Sequence, residues 1–501
     1  MIKYDFNELI VLDLANNHQG DLEHGLNIIK AMGKVVNELG MRAALKFQFR
    51  QLDTFIHPEF KKRDDVAHIP RFFSTRLSIK DYKQLIKEVR AQGMIPTCTP
   101  FDEESVDIIQ KLDIEIMKIA SCSVMDIPLL NKVAGVKMPV VASTGGATVS
   151  QIDHMVQIFE QNKLDFALHH CVSIYPTPPE NLQLNQIEFL KNRYKGIPIG
   201  WSTHEDPDDT ITVQMAAAKG AVLFERHVGM KTAKHKLNKY SSSPEQIKKW
   251  LMAYKEAKSK LGAVHRAPSL PQETESLLTL MRGVYANNPV KKGSKIKRSD
   301  VYFSMPPTNG GLISGQWREN ILADQSYKEN EALNNKLAVH NLTDEQVVSE
   351  IMLQVKGMLN DARIYLNRKS KIEISHHYGL DRFREFGAVI IDVINREYCK
   401  KLIIQLPRQK HPYHFHKKKE ETFQILYGGL EVEKNGNPVY LETGDLFLVK
   451  PNNWHKFSTL GGVIFEEIST THYNDDSFYQ DDYIASLPRE KRKTIVENWE
   501  L

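Results

Sequence analysis

The chain has little cysteine, no long apolar run and little excess charge. Four cysteines in 501 residues are too few for a disulfide framework. No stretch approaches the roughly 18 consecutive apolar residues of a transmembrane helix, and the N-terminus lacks the features of a signal peptide. The net charge of +4 is small for this length and argues against nucleic acid as a partner. We therefore expect a cytoplasmic protein with neither a membrane nor a nucleic-acid partner.

The composition is otherwise that of a globular chain, with 41% hydrophobic and 26% charged residues. This length suggests about three domains. Histidine is unusually abundant: there are 19 in all, and seven of them lie from His376 onward. Two basic runs, within residues 291–298 and 489–493, are interpreted as solvent-exposed faces.

The first 230 residues alternate short apolar runs with longer amphipathic stretches. The predicted strands are Leu9–Asp13, Ala43–Gln48, Met94–Thr99, Ile114–Ser121, Pro139–Ser143, Asp165–Cys171, Ile197–Ser202 and Ala221–His227. Helical periodicity between them, and a last helix near Pro244–Leu261, predict an α/β fold with a parallel sheet. Eight such units favour a (β/α)₈ TIM barrel. A doubly wound open sheet is the alternative.

Polar side chains follow all eight predicted strands. The strand ends carry Asp13 with Asn17 and His18, Lys46 with Gln48, Thr99 with Asp102, Lys118 with Ser121, Ser143 with Thr144, His170 with Ser173, Ser202 with His204, and Glu225 with His227. Active sites of this fold lie at the C-terminal ends of the strands. Capping explains one or two of these residues but not all eight ends, so we predict one polar pocket.

Two kinds of chemistry are suggested by these strand ends. His204 and His227 follow neighbouring strands and are predicted to share a divalent metal, although two polar core histidines are the alternative. Lys46 and Lys118, with nearby hydroxyl groups, favour a phosphate or carboxylate substrate. In the alternative interpretation, both lysines pair with acidic neighbours.

Eight segments in register carry a resemblance to a known family. They are VLDLANNHQGD, ALKFQ, CTPFD, MKIASCSVMDIPLL, PVVASTGGAT, HHCVSIYPTPPENLQL, GWSTHE and FERHVGM. Together they resemble the sialic acid (N-acetylneuraminate) synthase family over about residues 5–340. Such enzymes combine a TIM barrel with a small antifreeze-like (SAF) domain.

The resemblance implies condensation of phosphoenolpyruvate with an aldose, such as N-acetylmannosamine, to give a 2-keto-3-deoxy sugar acid. It implies a divalent metal, typically Mn²⁺, on His204 and His227. Catalytic roles fall to these two histidines and to Lys46 and Lys118. The predicted substrate-binding residues are Asp13, Asn17, Gln48, Thr99, Ser121, Ser143, Gln183 and Ser202. It further implies a homodimer in which the SAF domain covers the partner's barrel.

The sequence departs from the family pattern mainly at the sugar. Asp13 replaces a Glu, and Lys234 replaces an Asp, both of which contact the sugar in the family. Ser304 and Met305 replace a Lys-Arg pair whose Arg recognises the N-acetyl group, while Gln183 replaces an Asn near phosphoenolpyruvate. The aldose is therefore expected to differ from N-acetylmannosamine, and to be either another acetamido sugar or an aldose with no N-acetyl group. A degenerate, inactive barrel is the weaker interpretation.

The domain boundaries follow from these patterns. We predict a barrel at 1–265, a β-rich SAF domain at 280–340, a connecting helix at 341–370, a cupin at 371–475 and a tail at 476–501. The helix begins with a capping box from Thr343 to Gln346 and is expected to end near Asn367. The tail is expected to form a surface helix.

A second cluster of histidines lies in the last quarter of the chain. His414 and His416 alternate along a predicted strand, so both face one side, and Glu421 and His455 can complete the set of ligands. This spacing resembles a cupin, a small β-barrel, and predicts a Zn, Mn or Fe site. A metal-free cupin used for dimerisation or sugar binding is the alternative.

The segment KHPYHFHKKKEE also resembles metal-dependent sugar isomerase cupins such as D-lyxose isomerase. The cupin is therefore predicted to bind sugar or to isomerise it. Two further alternatives for the whole chain stay open. One is a catalytically silent sugar-binding protein, and the other is a cupin isomerase that uses the barrel as a scaffold.

Overall fold

A computed structural model describes residues 4–66, 68–263, 267–337, 343–366, 370–473 and 475–497. The chain divides into two compact units, Met1–Ala267 and Pro268–Leu501. Within the described residues no helix combines the length and the apolar character needed to cross a membrane. All four cysteines are free thiols.

The first unit is a closed barrel of eight parallel strands in sequence order. The strands are β1 (Ile10–Asp13), β2 (Ala43–Phe49), β3 (Ile95–Pro100), β4 (Ile116–Ile119), β5 (Val140–Ser143), β6 (Phe166–Cys171), β7 (Ile199–Thr203) and β8 (Phe224–His227). β1 closes the ring by pairing with both β2 and β8. The predicted TIM barrel is confirmed, and the open-sheet alternative is wrong.

Ten helices belong to the described part of this unit. They are α1 (Leu22–Glu38), α2 (Leu52–Phe55), α3 (His68–Ser74), α4 (Ile79–Ala91), α5 (Glu103–Lys111), α6 (Ile127–Val136), α7 (Val149–Gln161), α8 (Asn185–Arg193), α9 (Ile211–Ala218) and α10 (Pro244–Leu261). Capping boxes at Ser78, Thr148 and Ser243 fix where α4, α7 and α10 begin.

The barrel strands place a polar layer directly above an apolar one. An apolar cluster contains Val11, Ala44, Ile116, Val141, Ala167 and Leu223. Side chains two residues apart on a strand face the same side. The residues two positions further along those strands are Asp13, Lys46, Lys118, Ser143, His169 and Glu225, and all are buried. The strand ends therefore converge on one polar layer.

The second unit begins with short elements and one long helix. They are α11 (Pro271–Leu280), β9 (Gly283–Ala286), β10 (Lys295–Ile296), β11 (Val301–Ser304), β12 (Ile321–Leu322) and α12 (Asp344–Asp361). β9–β12 form two two-stranded sheets around a small core that includes Val284 and Leu312. The Thr343 capping box is present, but α12 ends at Asp361, before the expected Asn367. The assignment of residues 280–340 to an SAF domain stays a prediction.

The rest of this unit is an antiparallel β structure. Its elements are β13 (Ile372–His376), β14 (Gly387–Asn395), β15 (Tyr398–Gln405), β16 (His414–Phe415), β17 (Glu421–Lys434), β18 (Asn437–Glu442), β19 (Leu446–Val449), β20 (His455–Ser458), β21 (Val463–Thr470), β22 (Phe478–Tyr479), α13 (Asp482–Ser486) and β23 (Lys493–Val496). The arrangement is consistent with the predicted cupin.

The expectation of a surface helix for the tail is wrong in most of its length. β22 pairs with β16, and β23 pairs with β13, so the tail adds two strands to the cupin sheet. Among the described residues of the tail, only those of the short α13 are α-helical. The charged residues of the tail favoured the prediction of a surface element, and β23, with only four residues, is too short to give a clear strand pattern.

Candidate active site in the barrel and candidate metal centre in the cupin

Glu225 lies at the centre of the polar layer of the barrel. One carboxylate oxygen is 2.6 Å from Lys46 Nζ, and the other is 3.7 Å from Lys118 Nζ and 3.6 Å from His169 Nδ1. Burial opposes ionisation of this carboxyl group, but the two lysines outweigh burial and hold its pKa well below the usual value. The sequence predicts Glu225 at a strand end but indicates no catalytic or binding role for it.

The two lysines differ in their surroundings. Lys46 Nζ also lies 3.0 Å from Asp13 Oδ2, and although burial opposes its charge, the two carboxylates raise its pKa. Lys118 donates to Ser143 Oγ and to the carbonyl oxygen of Ile119, and burial lowers its pKa. The acidic pairing that the sequence left as an alternative is therefore present for both lysines. It leaves them beside buried hydroxyl groups at the strand ends.

His204 and His227 are neighbours, with ring centroids 5.2 Å apart. His204 Nδ1 lies 2.8 Å from the carbonyl oxygen of Val172, and His227 Nδ1 lies 3.2 Å from Asp13 Oδ2. The carbonyl oxygen places a proton on Nδ1 of His204 and leaves its Nε2 available as a ligand, whereas His227 Nδ1 lies close to Asp13 without forming a hydrogen bond. Burial lowers the pKa of His227 to about 4, so the ring is neutral at pH 7. The donor set fits a divalent metal.

Two tyrosines that the sequence did not single out pack around these histidines. The ring of Tyr175 lies 4.2 Å from that of His204, and the ring of Tyr240 lies 5.2 Å from that of His227. Both tyrosines come from loops, and Tyr175 is half exposed. Aromatic residues in loops carry no periodic signal, which is why the sequence did not indicate them.

Most of the remaining predicted substrate-binding residues are buried or hydrogen-bonded near the strand ends, and Gln183 is not. Thr99 and Ser202 are buried at strand ends, and Ser121 Oγ accepts from the backbone N–H of Gly145 at 3.1 Å. The Asn17 amide donates to the Val228 carbonyl oxygen and to Ser241 Oγ, so it ties the β1 and β8 loops together. Gln183 is exposed.

Gln48 lines a pocket that extends from the end of β2. Arg50, Arg76 and Ser78 also line it. The Arg50 guanidinium donates to Gln48 Oε1 and lies between the rings of Phe72 and Phe101, 4.2 and 3.5 Å from their centroids. The pocket thus carries cationic and polar groups next to the strand end.

The buried His169 predicts a pH dependence of stability. It is fully buried, neither ring nitrogen has a hydrogen-bond partner among the described residues, and burial lowers its pKa to about 4 against the opposing effect of Glu225. An unfolded histidine titrates near pH 6.5. Between these values the unfolded chain holds a proton that the folded chain lacks, so stability falls as the pH falls, by at most about 1.4 kcal/mol per pH unit.

We therefore expect His169→Gln to flatten the pH dependence of the free energy of unfolding between pH 6.5 and pH 4. Denaturant titrations of the variant and the wild type at several pH values measure this difference. His154→Gln, on the exposed face of α7, serves as the matched control and should leave the slope unchanged. Equal slopes for His169→Gln and the wild type would contradict the assignment.

The second cluster lies in the cupin. His414, His416 and His455 are buried, and one ligand atom from each lies within 4.8 Å of the others. Glu421 Oε1 is 3.2 Å from His416 Nε2, and Oε2 is 3.2 Å from His455 Nε2. All four predicted ligands are thus brought together.

Backbone carbonyl oxygens orient the three rings of this cluster. Nδ1 of His414, His416 and His455 faces the carbonyl oxygens of Pro412, Asp476 and Asn453, respectively. This pattern places the proton on Nδ1 of each ring and turns Nε2 of His416 and His455 toward Glu421. His455 Nε2 and Glu421 Oε2 have no hydrogen-bond partner among the described residues. Unpartnered, converging nitrogen and oxygen donors fit a divalent metal.

The cluster lines a cavity that contains more histidines and several charged groups. Its walls include His377 and His411, whose Nε2 atoms are 3.2 Å apart, and Lys419, which is paired with both Glu421 and Glu467. The basic run 489–493, interpreted as a solvent-exposed face, instead sends Arg489, Arg492 and Lys493 into this wall. That interpretation is therefore wrong for this run.

The fold and the two clusters define a TIM-barrel protein with a strand-end site of paired lysines and carboxylates, two neighbouring histidines and an appended cupin. The model of the NeuB family matches residues 35–266, and the model of the cupin domain matches residues 402–466. An uncharacterized protein of Methanocaldococcus jannaschii is 30% identical over 302 residues, which cover 59% of this chain and 84% of that protein. The chain belongs to the NeuB family.

Two further proteins show how far the similarity extends. The N,N'-diacetyllegionaminic acid synthase of Campylobacter jejuni is 26% identical over 65% of this chain and 98% of its own length. The crystal structure of a putative spore coat polysaccharide biosynthesis protein E from Chromobacterium violaceum is 41% identical, with a TM-score of 0.64, over 66% of this chain and 98% of that one. One of these similar proteins is thus a sugar acid synthase.

Proposed function

We propose that the barrel condenses phosphoenolpyruvate with an aldose and releases phosphate, giving a 2-keto-3-deoxy sugar acid. The observation that carries this proposal is the juxtaposition of two buried lysines and two metal-competent histidines at one end of the barrel. Membership of the NeuB family, which includes a legionaminic acid synthase, supports the reaction class.

In the proposed reaction, C3 of phosphoenolpyruvate forms a bond to the aldehyde carbon. Water adds at C2, and the C–O bond to phosphate breaks. Lys46 and Lys118 supply fixed positive charge for the anionic substrate, with Thr99, Ser121, Ser143 and Ser202 as hydroxyl partners. Because Glu225 touches both lysines, it keeps them in place before the substrate binds.

His204 and His227 are proposed to hold the divalent metal, Mn²⁺ by analogy with the family. A bound metal would polarise the aldehyde oxygen as a Lewis acid. The protein's part is to keep both rings neutral by burial and to orient them through the Val172 carbonyl oxygen and Asp13. The Tyr175 and Tyr240 rings pack beside them.

The aldose is proposed to differ from N-acetylmannosamine. Asp13, expected at the sugar, is already engaged by Lys46 and His227. Lys234, where the family has an acidic residue, pairs with Asp21 at 2.7 Å. The pocket around Gln48 and Arg50 is proposed to receive the far end of the sugar. Asn17 and Gln183 complete the predicted substrate set.

A second divalent metal, Zn, Mn or Fe, is proposed for the cupin on His414, His416, Glu421 and His455. The unpartnered donor atoms support it. The homodimer in which the SAF domain covers the partner's barrel is proposed on the family resemblance alone.

The test of the barrel's activity is metal-dependent release of phosphate from phosphoenolpyruvate in the presence of a panel of aldoses, with and without N-acetyl groups. We expect release with at least one aldose, its loss after chelation and its recovery with Mn²⁺. No release with any aldose, combined with tight sugar binding, would favour the silent sugar-binding alternative.

A further inference from the structure

The cupin cavity carries more positive than negative side chains. The cationic residues in its wall are Lys401, Lys419, Arg489, Arg492 and Lys493. The carboxylates in the same wall are Glu373, Glu421 and Glu467. Five positive and three negative charges leave a formal excess of two, before any metal is counted.

The carboxylates are committed to other groups. Glu373 lies 2.9 Å from Lys493 Nζ, and Glu467 lies 2.9 Å from Lys419 Nζ. Lys401 has its closest acidic neighbour, Asp392, at 3.5 Å, and the Asp392 side chain is about half exposed, where solvent screens it. Placing a divalent ion on Glu421 and the histidines would add two more positive charges. Lys401 and Lys419 are buried and the other three cations are partly buried, so solvent screens this excess incompletely and an anion in the cavity would compensate it.

Arg492 is the cation best placed to hold that anion. Its buried Nε has no hydrogen-bond partner among the described residues, and its guanidinium lies 5.0 Å from the centroid of the Tyr479 ring. Histidine rings also lie around that ring: His377 at 5.3 Å, His411 at 6.4 Å and His414, stacked at 5.5 Å, which is one of the proposed metal ligands. One aromatic ring therefore links the arginine to the metal centre.

Arg492 and the proposed metal centre prefer different chemical groups of a ligand. A guanidinium fork matches the geometry of a carboxylate or a phosphate. A metal on imidazole and carboxylate ligands, with positions left open, accepts hydroxyl oxygens. A ligand that satisfies both carries an anionic group and several hydroxyl groups.

We infer that the cupin cavity binds an anionic sugar, with its carboxylate or phosphate on Arg492 and its hydroxyl groups toward the cluster of His414, His416, Glu421 and His455. The placement of the hydroxyl groups depends on the metal centre proposed above. The placement of the anionic group depends only on the cationic residues of the cavity wall. The class includes the sugar acids that the barrel is proposed to make.

The test uses the full-length, Mn²⁺-loaded protein and three matched six-carbon probes in calorimetric titrations. D-Gluconate presents a carboxylate, D-glucose 6-phosphate presents a phosphate, and sorbitol presents hydroxyl groups alone. We expect at least one anion to bind at least about tenfold more tightly than sorbitol, and the better anion distinguishes a sugar acid from a sugar phosphate. Sorbitol binding as tightly as both anions, or no binding of either anion, would overturn the inference.

Arg492→Gln assigns the binding to this cavity rather than to the proposed anion-binding site of the barrel. We expect it to weaken binding of the preferred anion at least tenfold. Arg396→Gln, an exposed arginine on the hairpin between β14 and β15, should bind as the wild type does. Arg492→Lys retains the charge without the fork and should give an intermediate loss, so it serves if the Gln variant folds poorly. Unchanged affinity in both Arg492 variants would overturn the inference.

The metal content of each variant separates this inference from the proposed metal centre. Arg492→Gln should retain the cupin metal while it loses the anion. A wild-type protein that binds the anion but holds no metal in the cupin would overturn the metal proposal and support the anion-binding site.

Discussion

His227→Ala is expected to reduce phosphate release by at least about 1,000-fold, because a Lewis-acid metal contributes several kcal/mol to a transition state and each 1.4 kcal/mol is a factor of ten. The variant should fold, since the side chain lies at the end of β8 and packs mainly against the rings of His204 and Tyr240. Elemental analysis should show a loss of one of two equivalents of bound metal, with the cupin equivalent retained.

His154→Ala is the matched control, because His154 is exposed on α7 of the same barrel. It should leave both phosphate release and metal content unchanged. Retained turnover in His227→Ala would contradict the assignment of the barrel metal, and loss of both equivalents would show instead that the whole chain had been disturbed.

Lys46→Met is expected to be the most destabilising of the substitutions considered. It leaves Asp13 and Glu225 buried without their closest cation, and removing one partner of a buried pair costs about 3–5 kcal/mol. Denaturant unfolding measures this loss. Phosphate release should fall by about 100- to 1,000-fold, the usual effect of removing one preplaced donor from an anionic transition state.

The control for this prediction is Lys80→Met, in the first turn of α4, where the side chain is exposed. It should change stability by less than about 0.5 kcal/mol. Lys46→Arg retains the charge and should recover part of the stability but little of the activity, because the guanidinium differs from the ammonium in shape. Wild-type stability in Lys46→Met would mean that the ion pairs with Asp13 and Glu225 do not form.

Much of the barrel could be predicted from the sequence because its signal is repeated. All eight predicted strands exist, and α10 has the predicted bounds, Pro244–Leu261. The polar residues at the strand ends could be predicted to converge, because parallel strands present the same ends to one site. In the cupin, the two-residue spacing of His414 and His416 was enough to predict that both join one cluster, although β16 itself ends at Phe415.

The features that the sequence missed depend on contacts between distant residues. Glu225 occupies the centre of the polar layer because it meets Lys46, Lys118 and His169 from three other strands, and no local pattern indicates such a meeting. The basic run before β23 was misread for the same reason. Its place in the cavity wall depends on the pairing of β23 with β13, about 120 residues earlier in the chain.

The most direct measurement is the stoichiometry of products when the Mn²⁺-loaded protein is incubated with phosphoenolpyruvate and the aldose that supports phosphate release. We expect one 2-keto-3-deoxy sugar acid for each phosphate released, with no release when the aldose is omitted. Phosphate formed without a sugar acid, or at the same rate without an aldose, would contradict the proposed condensation.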